Sequence, residues 1–301
     1  MEPKVKKVWK QVDGVLLLDK PLGLSSNDAL QKARRLFSAA KGGHTGTLDP
    51  LATGLLPLCF GEATKFSADL LDADKTYEAE IKLGVVTDSG DAEGRVVASA
   101  AVNVRESDIF PVLEALTGDI LQTPPMHSAL KRDGQPLYML ARQGIVVERE
   151  PRPVTIRRIE LLDFSGDRLN ISVTCSKGTY IRVLALDIGK ALGCGAHLTA
   201  LRRTRVGGLS LDDAKTLAAI ESCEENFRHT LLQPLDALLQ GLPRVDLDAQ
   251  ARARFCHGNP VDLPPGLEGK IRVYGEGRLL GVGEPGREGR LWPKRLVQLI
   301  D

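Results

Sequence analysis

Apolar residues recur along this chain with two periods, and the switch between them marks out its elements. Tyr77, Ala79, Ile81 and Leu83 alternate with Glu78, Glu80 and Lys82. A period of two turns one face of a strand toward a core. Leu169, Ile171, Val173 and Cys175 repeat the pattern, and Val154 to Phe164 read as a further strand. Val15-Leu16-Leu17-Leu18, inside Gly14 to Asp19, reads as a short buried strand that Lys20-Pro21-Leu22-Gly23 stops. Helical spacing appears at Leu30, Ala33, Leu36 and Phe37, after the capping run Ser25-Ser26-Asn27-Asp28. It returns at Ile181, Leu184, Ala185, Ile188 and Leu192, a helix led in by Lys177-Gly178-Thr179 and closed by Gly193.

Shorter signals fill the gaps. Thr64 to Leu71, Asp108 to Leu116 and Pro136 to Gln143 suit helices. Val96-Val97, His127 to Lys131 and Leu198 to Val206 suit strands, and two short helices follow before Leu239. Past Gly241-Leu242-Pro243 the chain changes to short strands and Gly/Pro turns such as Pro264-Pro265-Gly266. The expectation is a mixed α+β domain over 1–243, with an antiparallel sheet, and a small β-rich domain over 244–301.

One stretch resists both periods. Residues 42–57 hold four glycines, two prolines, three threonines, His44 and a lone carboxylate, Asp49. Such a composition is poor helix and poor strand, yet Leu48, Leu51, Leu55 and Leu56 would bury it. A buried irregular loop must find partners for its backbone groups, so loops of this kind usually carry function.

Composition narrows the classes. A net charge of +1 neither demands nor excludes nucleic acid, so any such binding needs local clusters; Arg34-Arg35, Arg142 to Arg158, Arg202-Arg203-Arg205 and Lys294-Arg295 are the candidates. Five scattered cysteines without a CxxC argue against a disulfide framework or zinc site, and for a reducing cytosol. The basic start lacks an uninterrupted apolar run, so a cytoplasmic protein without signal peptide or membrane span is expected. No GxxxxGK[ST] occurs and no GxGxxG follows a strand. Thr87-Asp88-Ser89-Gly90-Asp91 with Glu93 falls short of a calcium loop and reads as an Asx-rich turn.

Taken singly, His44, Asp49, Tyr77, Tyr180 and Arg182 each have an ordinary structural explanation. Their order and context change that. Lys20-Pro21, the run Gly43-His44-Thr45-Gly46-Thr47-Leu48-Asp49-Pro50 with its continuation to Pro57, and Gly61-Glu62-Ala63-Thr64-Lys65 closely resemble the bacterial tRNA pseudouridine-55 synthases, the TruB family. So do Asp74-Lys75-Thr76-Tyr77, Thr87 to Asp91, Pro125 to Lys131, Leu140 to Gly144 and Cys175 to Arg182, so the likeness covers nearly all of residues 12 to 207.

The resemblance implies a pseudouridine synthase fold, with a central antiparallel or mixed sheet flanked by helices and a PUA-like RNA-binding tail. It implies that Asp49 is the nucleophilic aspartate and that Arg182 pairs with it. His44 and Tyr77 match residues that contact the flipped-out uridine, Tyr77 by stacking, while Tyr180 and Leu201 match other pocket positions. Lys20 belongs to a motif that supports the loop. His127 departs from the pattern, standing where these enzymes usually carry an aromatic such as Tyr. The implied reaction isomerises uridine 55 of the tRNA T loop, with no metal, cofactor or obligate protein partner, in a monomer. Two alternatives stay open: a partner-guided synthase of related type, and a tRNA-folding chaperone.

Overall fold

The alternating strands form the inner part of a mixed sheet. In the computed structural model, which describes residues 8–128, 130–132, 134–286 and 289–298, the chain separates into two compact units. Described residues up to Thr47, with 56–71 and those from Gly207 on, make the first, and residues 48–55 with 72–206 make the second.

In the second unit the strand order is Ala52–Phe60 (through its leading residues), Ala196–Val206, Lys75–Leu83, Arg168–Cys175, Arg152–Ser165 and Gly118–Gln122. The Ala52–Phe60 and Ala196–Val206 strands run parallel and the other neighbours antiparallel. The period-two residues face the core as expected. Ala79, Ile81, Leu83, Leu169, Ile171, Val173 and Cys175 are buried, and half-buried Tyr77 packs against them. Ile181, Leu184, Ala185 and Ile188 of the Ile181–Ala191 helix close that core, with Ile109 and Leu113 of the Glu106–Ala115 helix. Each fully buried side chain of this size contributes about 1.5–3 kcal/mol relative to exposure.

In the first unit the Gly14–Lys20 strand is buried along almost its whole length and pairs in parallel with Lys215–Thr216. The Ser26–Phe37 helix begins where the sequence places it: the Ser25 side chain caps it by accepting from the Asp28 N–H. Residues 244–296 form a five-stranded sheet with a separate core of Val245, Phe255, Val261, Ile271, Val273, Leu280 and Leu291. That sheet was expected, but the Ala249–Cys256 helix beside it was not, although Asp248 caps it through the Ala251 N–H. No helix among the described residues is long and apolar enough to cross a membrane.

Two local expectations fail. Residues 127–131 are not a strand: 126–128 bend, Ala129 lies outside the described residues, and only Lys131–Arg132 is extended, against Gln135–Pro136. The Gly/Pro-rich stretch is more regular than its composition suggests. Gly42–His44 pairs with Leu58 to Phe60, and Ala52–Phe60 is a nine-residue strand, which leaves only 45–51 irregular. Pairing on a buried strand overrides local propensity here.

Gly54 shows why a glycine stands in that strand. Its φ is +97°, and a Cβ built on it would lie 2.3 Å from the Arg203 carbonyl oxygen. Gly54→Ala therefore combines a left-handed backbone with a backbone clash. A loss of about 3 kcal/mol or more is expected in urea denaturation. A change within about 0.5 kcal/mol would contradict this account.

Candidate active site

Asp49 sits in the irregular 45–51 segment, where the Ala52 N–H donates to the Asp49 carbonyl at 3.0 Å and closes a turn ahead of the buried strand. That turn leaves the carboxylate reachable: its side chain is 47% exposed, whereas its partner Arg182 is 8% exposed. The contrast matters, because a reacting group must meet substrate while its orienting group stays fixed.

Arg182 is the second residue of the Ile181–Ala191 helix, and its guanidinium forks. One nitrogen, Nη2, lies 2.9 Å from Asp49 Oδ2 and donates to the His127 carbonyl at 2.7 Å. The other, Nη1, lies 3.2 Å from Asp91 Oδ2. Asp91 is itself buried, and its Oδ1 accepts from the Ser89 hydroxyl at 2.6 Å and from the Glu93 N–H at 3.1 Å. The 88–94 turn therefore anchors the arginine. Among the described residues no His, Cys, Asp and Glu side chains gather into a metal-binding group.

The planar arginine fork suits this task as a lysine point charge would not. Two carboxylates share one guanidinium, and the nearer-solvent carboxylate is aimed without being buried. The sequence alone offers Asp91 only as a possible second carboxylate to Asp49 and cannot place the two near each other; the structure puts both on Arg182. The sequence flagged its turn but carried no sign of the partner 91 positions away. His127 joins through its backbone carbonyl, so its departure from an aromatic side chain does not touch this contact.

Tyr77 and Tyr180 flank the carboxylate electrostatically, since the Asp49 charge pushes both phenols the same way, upward. Burial is the larger cause for each. Both phenols thus stay neutral across the ordinary pH range. Tyr180 precedes the helix of Arg182, and its N–H donates to Gln122 Oε1 at 2.9 Å. Leu201 is the cross-strand neighbour of Ala79 and of Ala52, and the Thr53 hydroxyl donates to its carbonyl at 3.4 Å. The second unit therefore assembles Asp49, Arg182, Tyr77, Tyr180 and Leu201.

Lys20 and His44 belong to the first unit. The Lys20 ammonium is fully buried and donates to the Pro21 and Leu24 carbonyls at 3.0 and 2.6 Å. It thereby braces the Lys-Pro turn. His44 ends the short Gly42–His44 strand, opposite Leu58.

The expected basic patches need one correction. Arg203 is 1% exposed, so it is part of the interior and not of an RNA-facing surface with Arg202 and Arg205. In the 142–158 patch, Arg157 and Arg158 are matched by Asp74 and Glu160.

Comparison with known proteins accounts for nearly the whole chain. The family described as TruB family pseudouridylate synthase (N terminal domain) matches residues 34–181. Those described as tRNA pseudouridylate synthase B C-terminal domain and Pseudouridine synthase II TruB, C-terminal match 182–240 and 243–297. The tRNA pseudouridine synthase B of Dechloromonas aromatica (strain RCB) is 71% identical over 296 residues, 98% of this chain and 99% of the relative. That of Aromatoleum aromaticum is 60% identical over 289 residues, 96% and 94%.

Among solved structures, one of a Cbf5-Nop10-Gar1 complex matches with a TM-score of 0.72 and 28% identity, covering 96% of this chain and 86% of the other. One of an H/ACA RNP bound to a substrate RNA containing 2'-deoxyuridine matches at 0.74 and 23%, covering 100% and 93%, a likeness of fold alone. By fold and by sequence along almost its full length, the chain belongs to the TruB family of pseudouridylate synthases, and it is an isomerase.

Proposed function

We propose that this enzyme converts uridine 55 in the T loop of tRNA to pseudouridine, with Asp49 starting the reaction. The observation that carries the reading is the half-exposed Asp49 carboxylate held by the buried Arg182 fork. The reaction breaks the C1′–N1 bond, turns the uracil and joins C1′ to C5. The C5 proton leaves to solvent and N1 gains one, so atoms balance without a redox step or group donor. The opening step uses an ionised carboxylate oxygen, whether it attacks C1′ or takes a sugar proton. Arg182 keeps that oxygen aimed.

The uridine must leave its stack first. Tyr77 offers the flat face that replaces the lost stacking, worth about 1–3 kcal/mol per base. Tyr180 and Leu201 complete the pocket wall in this reading. Residues 244–301 supply RNA affinity and not chemistry, a division that filter binding against the truncated chain measures. The tRNA names of the relatives and the family profiles support the substrate class.

The test is positional. A tRNA transcript tritiated at uridine C5 releases one equivalent of tritium with the enzyme, and an otherwise identical transcript with cytidine at position 55 releases none. Undiminished release from the second transcript would overturn the assignment of position 55.

A further inference from the structure

Arg203 is the largest fully buried side chain described, and its burial calls for a reason. Taking a guanidinium out of water costs several kcal/mol, and an apolar residue of similar volume would often serve stability as well or better. Its neighbourhood raises the cost, because Lys75 is buried beside it. The Lys75 amine is pushed below its ordinary value first by that burial and next by the Arg203 charge.

What the guanidinium touches supplies the reason. Arg203 is the cross-strand partner of Gly54 on one side and of Tyr77 on the other. Its Nε donates to the Leu55 carbonyl at 2.8 Å. The same side chain lies within hydrogen-bonding reach of the Tyr77 phenol across the ladder, and it draws the phenol's pKa down against the larger upward effect of burial. One rigid planar group therefore ties the strand that leaves the Asp49 turn to the ring of the tyrosine. A single donor would leave a phenol free to tilt; a fork anchored at a second point fixes where its oxygen lies.

We propose that Arg203 is a positioning residue for the isomerisation, holding the Tyr77 ring in the orientation that receives the flipped base and locking it to the strand behind Asp49. It acts through Tyr77, so the proposal rests on the reading of Tyr77 as the stacking platform. Misplacing such a group by about 1 Å costs on the order of 10²-fold in rate.

The experiment is a double-mutant cycle of Arg203→Met and Tyr77→Phe. Single-turnover tritium release is measured at saturating tRNA, with tRNA affinity measured alongside. Arg203→Met lowers the rate roughly 10- to 100-fold with affinity kept within about 2-fold. On the Tyr77→Phe background, where the hydroxyl is gone, it lowers the rate by less than about 3-fold. Equal factors on both backgrounds, or a loss confined to affinity, would overturn the proposal.

A second readout needs no turnover. The ultraviolet titration of Tyr77, taken as the difference between each protein and its Tyr77→Phe counterpart, moves upward when Arg203 is replaced. An unmoved titration removes the contact and the proposal with it. If Arg203→Met does not fold, Arg203→Lys enters the same cycle: it cannot span both acceptors, so the same non-additivity is expected and additivity overturns. The underlying reading is tested apart, by Tyr77→Ala. A rate unchanged by that substitution, with the titration still responsive to Arg203, removes the platform role while leaving the contact.

Discussion

Asp49→Asn binds tRNA as the parent does and releases no measurable tritium, a loss of at least about 10³-fold, the scale of losing one essential catalytic group. The amide keeps the size of the side chain and still offers an oxygen to Arg182 Nη2, now 2.9 Å from the carboxylate. The turn closed by the Ala52 N–H is untouched, since it uses the Asp49 backbone. Only the charge is removed, and with it the ability to attack C1′ or take a proton. Stability is expected to change little, because the side chain is half exposed and an ion pair with one exposed partner is a modest contributor. Substantial turnover by the variant would sink the role assigned to Asp49.

The second large effect is on both fold and rate. Arg182→Met removes the cation beside the buried Asp91 Oδ2 and the donor to the His127 carbonyl, and leaves Asp49 without its guide. Breaking a buried pair from one side costs about 3–5 kcal/mol, and a shift of that size is expected in urea denaturation. Arg182→Lys keeps a positive charge, but one ammonium cannot meet acceptors arranged around two separate nitrogens. It should recover part of the stability while remaining roughly 10²-fold slow in tritium release. A lysine variant as fast as the parent would show that charge alone, and not the fork, is what Asp49 requires.

Much of this was legible in the residues. The alternation of 77–83 and 169–175 gave the right buried face because nothing competes with a period of two when one face meets a core. The stripe at Ile181, Leu184, Ala185 and Ile188 placed its helix for the same reason. The failures have particular causes. Residues 52–57 looked unfit for a strand because glycine and proline propensities are local, while the pairing that orders Gly54 comes from Arg203, far along the chain.

By sequence alone Arg203 reads as surface charge with Arg202 and Arg205, yet it is buried. In a strand, Arg203 must face opposite to Arg202, and that alternation was available as a signal. Asp91 was harder. A carboxylate in an Asx turn looks the same whether its second oxygen meets solvent or a distant arginine, and only the folded chain decides.

The separation of these partners bears on how the enzyme comes into being. The hydrogen bonds from Thr53 to Leu201 and from Arg203 to Leu55 each join residues 148 positions apart. Contacts of such long range form late, after the entropy of closing a very large loop has been met. On a ribosome, Asp49 emerges long before the strand that will pin its turn, and domains complete only as their last elements appear. The turn that carries Asp49 therefore gains these long-range partners only once residues 196–206 have left the ribosome.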